Sequence, residues 1–208
     1  MVKPDISVVP LATRGRDLDE VAVVAARAFH YDAFFAFLDP REVRRARGLA
    51  LFFRSAVGSL GAAGQVAGAR LANGRLVGVA AWVPPGAYPL GVASQARGFF
   101  GAGRAMALRP KGLRDGLRYM NAIERAHPKD PMWYLLLLVV DPSVQRAGIG
   151  AHLQEPVLER ADEDGVDCYL ETQSEDNLPY YRRFGYEVEA ELGPVPGGPP
   201  LWTMRRRR

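Results

Sequence analysis

From Met132 to Val140 the chain reads MWYLLLLVV, with no charged or amide side chain in the run. Such a stretch predicts a strand covered on both faces, because a half-exposed strand shows a polar residue at every second position. Tyr186 to Leu192, YEVEAEL, has that second pattern. Tyr186, Val188, Ala190 and Leu192 fall on one side and Glu187, Glu189 and Glu191 on the other, which predicts a half-exposed antiparallel strand. Between the two, Ala151 to Asp164 places Leu153, Val157, Leu158 and Ala161 on one helical face. Pro156 is expected to remove a hydrogen bond there and bend the helix, and Gly165 to stop it. DCYLET, Asp167 to Thr172, is a further strand. Strand, helix and strand in this order predict a right-handed crossover joining two parallel strands. A short helix from Asn177 to Phe184 follows, stopped at Gly185, and Leu201 to Met204 reads as a final edge strand.

The first half is less regular. Ile6 to Ala12 predicts a strand, and Asp17 to Phe29, with Val21, Val24, Ala25 and Phe29 at helical spacing, a first helix. Asp39-Pro40 interrupts, and Arg41 to Leu60 predicts a second helix. GQVAGARLANGRLVGVAAWVPPG predicts a hairpin turning at Asn73-Gly74. Tyr88 to Leu108, rich in glycine, reads as a broken helix lining a pocket, and Gly112 to Ala126 as another helix, ended by the prolines of HPKDP.

Composition narrows the class. With 48% hydrophobic and 24% charged residues in 208, the chain reads as one soluble globular domain, and no apolar run is long enough for a membrane helix. The first ten residues lack the apolar stretch of a secretion signal, which implies the cytoplasm. Cys168 is the only cysteine, so no disulfide forms within the chain, and it reads as core. The net charge of +4 resides in Arg205 to Arg208, without which basic and acidic residues balance. The body therefore offers no basic face for nucleic acid, and the arginine tail reads as a solvated terminus. His30 and His152 are too isolated to suggest a metal site.

Gly148 and Gly150 carry the chemistry, because they stand where the apolar strand gives way to the helix. A Walker loop needs a lysine after the glycines, and none follows. A dinucleotide fingerprint needs a third glycine where Leu153 stands. What remains is a turn whose successive N–H groups open into one concavity at a helix N-terminus, a place suited to a pyrophosphate, with glycine letting phosphate oxygens approach the backbone.

QRAGIG, Gln145 to Gly150, preceded by VVDP, resembles the Gln/Arg-x-x-Gly-x-Gly/Ala motif of the GCN5-related N-acetyltransferases (GNAT). NLPYYRRFGY, Asn177 to Tyr186, is similar to that family's Asn-x-x-x-Tyr-x-x-x-Gly-Phe signature, with Tyr181 at the tyrosine. With GGPPLWTM, these segments resemble the puromycin N-acetyltransferase-like branch over about Ala126 to Met204, although Ser174 and Ala147 depart from its usual residues. The resemblance implies an α/β fold: a central mixed, mostly antiparallel sheet with a splayed parallel strand pair and helices on both faces. It also implies one domain over 1–208, with an acceptor-side half to about residue 125 (helical insertion 86–126) and an acetyl-CoA half over 126–204, as a monomer or homodimer.

Acetyl-CoA is the implied cofactor. Backbone groups of Leu138, Val139 and Val140 are then expected at the pantetheine and thioester, and Gln145, Arg146, Ala147, Gly148, Ile149, Gly150 and Ala151 at the pyrophosphate, with Ser174 and Asn177 as further contacts. The implied reaction is direct attack of an amine on the thioester. Tyr181 is the expected proton donor to the leaving thiolate, since a phenol of pKa about 10 stands close to a thiol near 8.5. No carboxylate lies on Met132 to Val140, so Glu171, near the end of the next strand, is the better base, with His127 second. Phe34, Phe35, Trp82 and Tyr134, with Tyr31, Phe99 and Phe100, are candidates for the acceptor pocket. A small-molecule amine is the leading acceptor. A peptide or protein amine, and a non-catalytic acyl-CoA sensor, are the alternatives.

Overall fold

The computed structural model describes residues 4–88 and 110–208. The reading of Tyr88 to Leu108 as broken helix falls, beyond Tyr88, outside them, and with it Phe99 and Phe100. Among the described residues no helix is long and apolar enough to cross a membrane.

The strands are β1 (Ile6–Pro10), β2 (Gln65–Leu71), β3 (Leu76–Val83), β4 (Trp133–Val140), β5 (Cys168–Thr172), β6 (Tyr186–Leu192) and β7 (Leu201–Arg206). They form one seven-stranded sheet in the order β1-β2-β3-β4-β5-β7-β6. β4 and β5 are parallel and the other neighbours antiparallel, as the crossover through α5 (Ile149–Asp164) requires. The remaining helices are α1 (Gly15–Ala28), α2 (Ala33–Leu38), α3 (Glu42–Ser59), α4 (Pro110–Ala126) and α6 (Leu178–Arg182).

Strand side chains alternate between two cores. Val79, Ala81, Val83, Leu137 and Val139 pack with Val21, Leu49, Phe53 and Val57 of α1 and α3. Ala80, Trp82, Trp133 and Leu135 pack with Ile149, Leu153, Leu158 and Ala161 of α5. Period two across a sheet with helices on both faces produces that division. Gly78 lets α5 come close: a Cβ there would lie 2.9 Å from both Ile149 Cγ2 and Leu153 Cδ1. Pro156 lies within α5, which runs unbroken across it.

One element was unread in the sequence, and two expectations change. α2 was not legible, because AFFAFL has no helical alternation; Asp32 starts it by accepting hydrogen bonds from the Phe34 and Phe35 N–H groups. β7 is not at the edge: it lies between β5 and β6, which makes the glutamate-bearing β6 the edge strand. The arginine tail is a solvated end only from Arg207 on. Arg205 and Arg206 belong to β7, Arg205 Nε donates to Asp167 Oδ2 at 2.7 Å, and Arg206 Nη1 and Nη2 donate to the two oxygens of Asp162 at 2.7 Å each. Arg207 pairs with Glu187 and Glu189 of the edge strand.

Arg206 also donates from Nε to the Phe184 carbonyl, so Arg206→Ala is expected to cost about 1–2 kcal/mol in urea unfolding. Its hydrogen bonds hold the Asp162 carboxyl below its ordinary value of 3.8. A lowered folded pKa gives stability that is present above the unfolded value and lost as pH falls through the folded one. The gap between wild type and variant should therefore narrow below about pH 4. Equal unfolding midpoints at neutral pH would show that the pair contributes nothing.

Candidate active site

The site begins where β4 and β5 part. Their pairing runs only from Trp133↔Cys168 to Leu135↔Leu170. On its other side β4 pairs Leu137 with Ala81 but Leu135 with Trp82, leaving Leu136 as a bulge. A bulge shifts the phase of the backbone by one residue. Before it, the Trp133 N–H donates to the Asp167 carbonyl at the start of β5; after it, the Asp141 N–H donates to Val77 of β3. Val139, in phase with Asp141 and opposite Val79, is thus turned into the β3 ladder and away from the gap. Leu138 and Val140 have the opposite phase and face the gap that β5 has left. The Val140 carbonyl accepts from Gln145 Nε2 at 3.1 Å, so the Gln145 amide ties the loop to the strand, and the N–H of Val140 remains for a ligand.

Below this edge the loop enters α5. Gly148 caps the helix with φ +82°, and Arg146 has φ +63°. Left-handed residues alternating with right-handed ones turn successive N–H groups toward one side. From Arg146 to Gly150 these groups donate to nothing among the described residues, whereas the Ala151 N–H turns back to the Gly148 carbonyl at 3.0 Å. Ala151 therefore ends the row and is not part of it. The two glycines have different reasons. Gly148 is needed for its backbone angle, while a Cβ on Gly150 would lie 2.6 Å from the Tyr180 hydroxyl. Gln154 Nε2 holds that hydroxyl at 2.8 Å, and burial pushes its pKa up to about 12.

On the α1–α3 side of the gap lies a cavity of about 220 Å³, which brings together Leu138, Glu171, Ser174, Asn177 and Tyr181 with Phe34, Phe35 and Tyr134. Glu171 is the residue after the last β4–β5 pair, opposite Thr203 of β7. Its side chain is 5% exposed, and Oε1 has no hydrogen-bond partner. His127 Nδ1, equally unpartnered, lies 3.6 Å from it. Burial, then the nearby Glu171 charge, raises the pKa of the Tyr134 and Tyr169 hydroxyls, so both stay protonated. Tyr181 is buried, and its hydroxyl bonds no described residue; burial first, then Tyr180, holds its pKa well above that of a free phenol. Asn177 Nδ2 and the Ser174 N–H both donate to Thr172 Oγ1, at 3.0 and 3.3 Å.

The family model for the acetyltransferase (GNAT) family matches residues 39–186, more than half of the chain. The chain belongs to the GNAT family. Solved structures agree on the fold. A histone acetyltransferase HPA2 and related acetyltransferase from Corynebacterium glutamicum superposes with TM-score 0.68 at 22% identity, over 97% of this chain and 96% of that one. PaiA N-acetyltransferase of Thermoplasma acidophilum, in complex with coenzyme A, gives 0.60 at 14%, over 98% and 99%. The polyamine N-acetyltransferase of Drosophila melanogaster, which forms N-acetylagmatine, gives 0.62 at 16%, over 98% and 100%.

This GNAT protein is an acetyl-CoA-dependent N-acetyltransferase. Its unpaired N–H row from Arg146 to Gly150 and the open edge at Leu138 and Val140 fit the cofactor's pyrophosphate and pantetheine amides. Two acceptor candidates do not line this cavity. Trp82 is 1% exposed on the opposite sheet face, edge-on to Trp133, and Tyr31 is 78% exposed outside the cavity. Cys168 is buried, which lifts its thiol to about 11 and suits core rather than nucleophile. Among the lining residues that went unread in the sequence are two with polar side chains. Thr172 looked like a strand end, and Asp32 sat in a segment without periodicity.

Proposed function

We propose that this enzyme acetylates a primary amine of a small molecule by direct attack in a ternary complex. Acetyl-CoA supplies the activated acetyl carbon and the leaving thiol. Glu171 removes the proton from the arriving ammonium, Leu138 and Val140 hold the reacting end with backbone groups, and Tyr181 gives a proton to the departing sulfur. The carrying observation is that one cavity joins Glu171, Tyr181 and the Leu138 edge to an aromatic wall formed by α2, α3 and α4. A cavity closed in by three helices favours a small acceptor over a protein lysine, which needs an open groove. The single buried cysteine and the absence of a membrane-crossing helix among the described residues favour the cytoplasm.

The test is thiol release from acetyl-CoA across alkyl amines, polyamines, peptides and aminonucleosides, the last because of the resemblance to the puromycin branch. Turnover confined to peptides would overturn the small-molecule reading. Glu171→Gln is expected to lower kcat/KM by about 10²–10³-fold at neutral pH. The deficit should shrink as pH rises toward the amine's own pKa, roughly 10, because the free base then needs no acceptor for its proton. A deficit independent of pH would remove Glu171 as the base.

A further inference from the structure

Asp32 is placed where its role as a helix cap leaves half of it unused. Oδ1 accepts from the Phe34 and Phe35 N–H groups, at 3.0 and 3.3 Å. Among the described residues Oδ2 has no hydrogen-bond partner and Asp32 forms no ion pair. Yet the residue lines the cavity that holds Glu171 and Tyr181. Burial raises its carboxyl pKa, with the two backbone bonds opposing the rise. Of the arginines on α3, Arg45 donates to the His30 and Asp39 carbonyls, and Arg44 pairs through Nε with Asp39 while its Nη2 is buried without a partner among the described residues.

The cavity's charge is one-sided. Asp32 and Glu171 are the only ionisable acids or bases of formal charge among its described lining residues, with no lysine or arginine, in a chain whose net charge is +4. The helix-borne wall of the cavity is apolar and partly aromatic, including Phe34, Phe35, Phe52 and Tyr119. Phe34 stands edge-on to Phe35 and Tyr119, with centroids at 5.0 and 4.7 Å. A carboxylate on a wall that also carries aromatic rings, without a cation of its own among the described residues, attracts a cationic group by charge, and rings beside it add their quadrupoles. It equally repels an anionic substrate.

Resting on the small-amine reading, we propose that Asp32 determines acceptor specificity: the acceptor carries two cationic nitrogens, one anchored at Asp32 Oδ2 while the other is presented to Glu171. The anchor accounts for the second carboxylate, which removal of a single proton at Glu171 does not require. It also gives the aromatic wall a purpose beyond bulk, because rings beside Asp32 shield a pair formed there from water.

Asp32→Asn separates the anchor from the cap, because an asparagine Oδ1 still accepts from the helix N–H groups. The probes are an α,ω-diaminoalkane and the monoamine of equal length, followed by thiol release and by calorimetric binding to the CoA-saturated protein. Wild type should bind and acetylate the diamine in preference. In Asp32→Asn the diamine's KM and Kd should rise by about 10- to 100-fold, kcat should hold, and the monoamine should change far less. The variant's melting temperature should stay near wild type while that of Asp32→Ala falls. Wild type showing no diamine preference, or Asp32→Asn weakening both amines equally, overturns the anchor and leaves the small-amine reading standing. If wild type neither binds nor acetylates either amine, while acetylating peptides, the small-amine reading falls and the anchor with it.

Discussion

Tyr181→Phe is expected to lower kcat by about 10²–10³-fold while leaving acetyl-CoA affinity close to wild type. The substitution removes one oxygen that bonds no described residue, so no hydrogen bond to those residues is lost and stability should hardly move. On the proposed mechanism, what is lost is the proton for the departing sulfur. Burial holds the phenol pKa above its ordinary value of 10.0, which makes it a weaker acid than in water. The thiolate that forms in the same buried gap is disfavoured by the same desolvation, so its affinity for a proton rises alongside. A raised phenol pKa also keeps the acid loaded throughout the ordinary assay range. No alkaline fall in kcat should therefore be traceable to Tyr181 between neutral pH and about pH 10. Unchanged turnover in the variant would assign the proton to solvent.

Gly148→Val should abolish measurable acetyl-CoA binding, a loss of about 100-fold or more. Gly148 holds φ +82° at the cap of α5, a conformation that a β-branched residue reaches only at a cost of about 1–3 kcal/mol. Relief of that strain turns the neighbouring peptide and scatters the N–H row from Arg146 to Gly150. The control is Gly74→Val in the β2–β3 turn, where φ is +81° and a Cβ would meet nothing within 4 Å. It shares the backbone strain but lies in a different loop, so it should lose comparable stability and keep its acetyl-CoA affinity. Normal affinity in Gly148→Val, measured by calorimetry, would undo the pyrophosphate assignment. Equal loss in both variants would trace the effect to stability alone.

Much of the second half was legible because each of its elements carries a strong local signal. The unbroken apolar run at β4, the helical stripe of α5 and the alternation of β6 each admit one reading, and two motifs at the right separation pointed to the family. The first half resisted for physical reasons. AFFAFL has apolar residues on every side, and the helix it forms depends on Asp32 capping from outside the run. The tail of arginines reads as solvated by composition, yet β7 carries it between β5 and β6, where Asp162, Asp167, Glu187 and Glu189 meet it. Trp82 looked like a pocket residue until sheet phase turned it to the α5 face.

The sequence by itself determined the crossover, the two-glycine turn and the tyrosine that follows it, because each depends on neighbours a few residues away. Tertiary structure decided which backbone atoms are free. One bulged residue, Leu136, shifts the phase of β4, so that Leu138 and Val140 face the gap while Val139 enters the ladder. Side-chain type cannot encode that choice, since any of these apolar residues could occupy either phase. Structure also decided why each glycine is there, one for its backbone angle and one for the Tyr180 hydroxyl above it. It brought Asp32 into the cavity of Glu171 from far along the chain, a juxtaposition that only the packing of α2 against the rest of the fold creates.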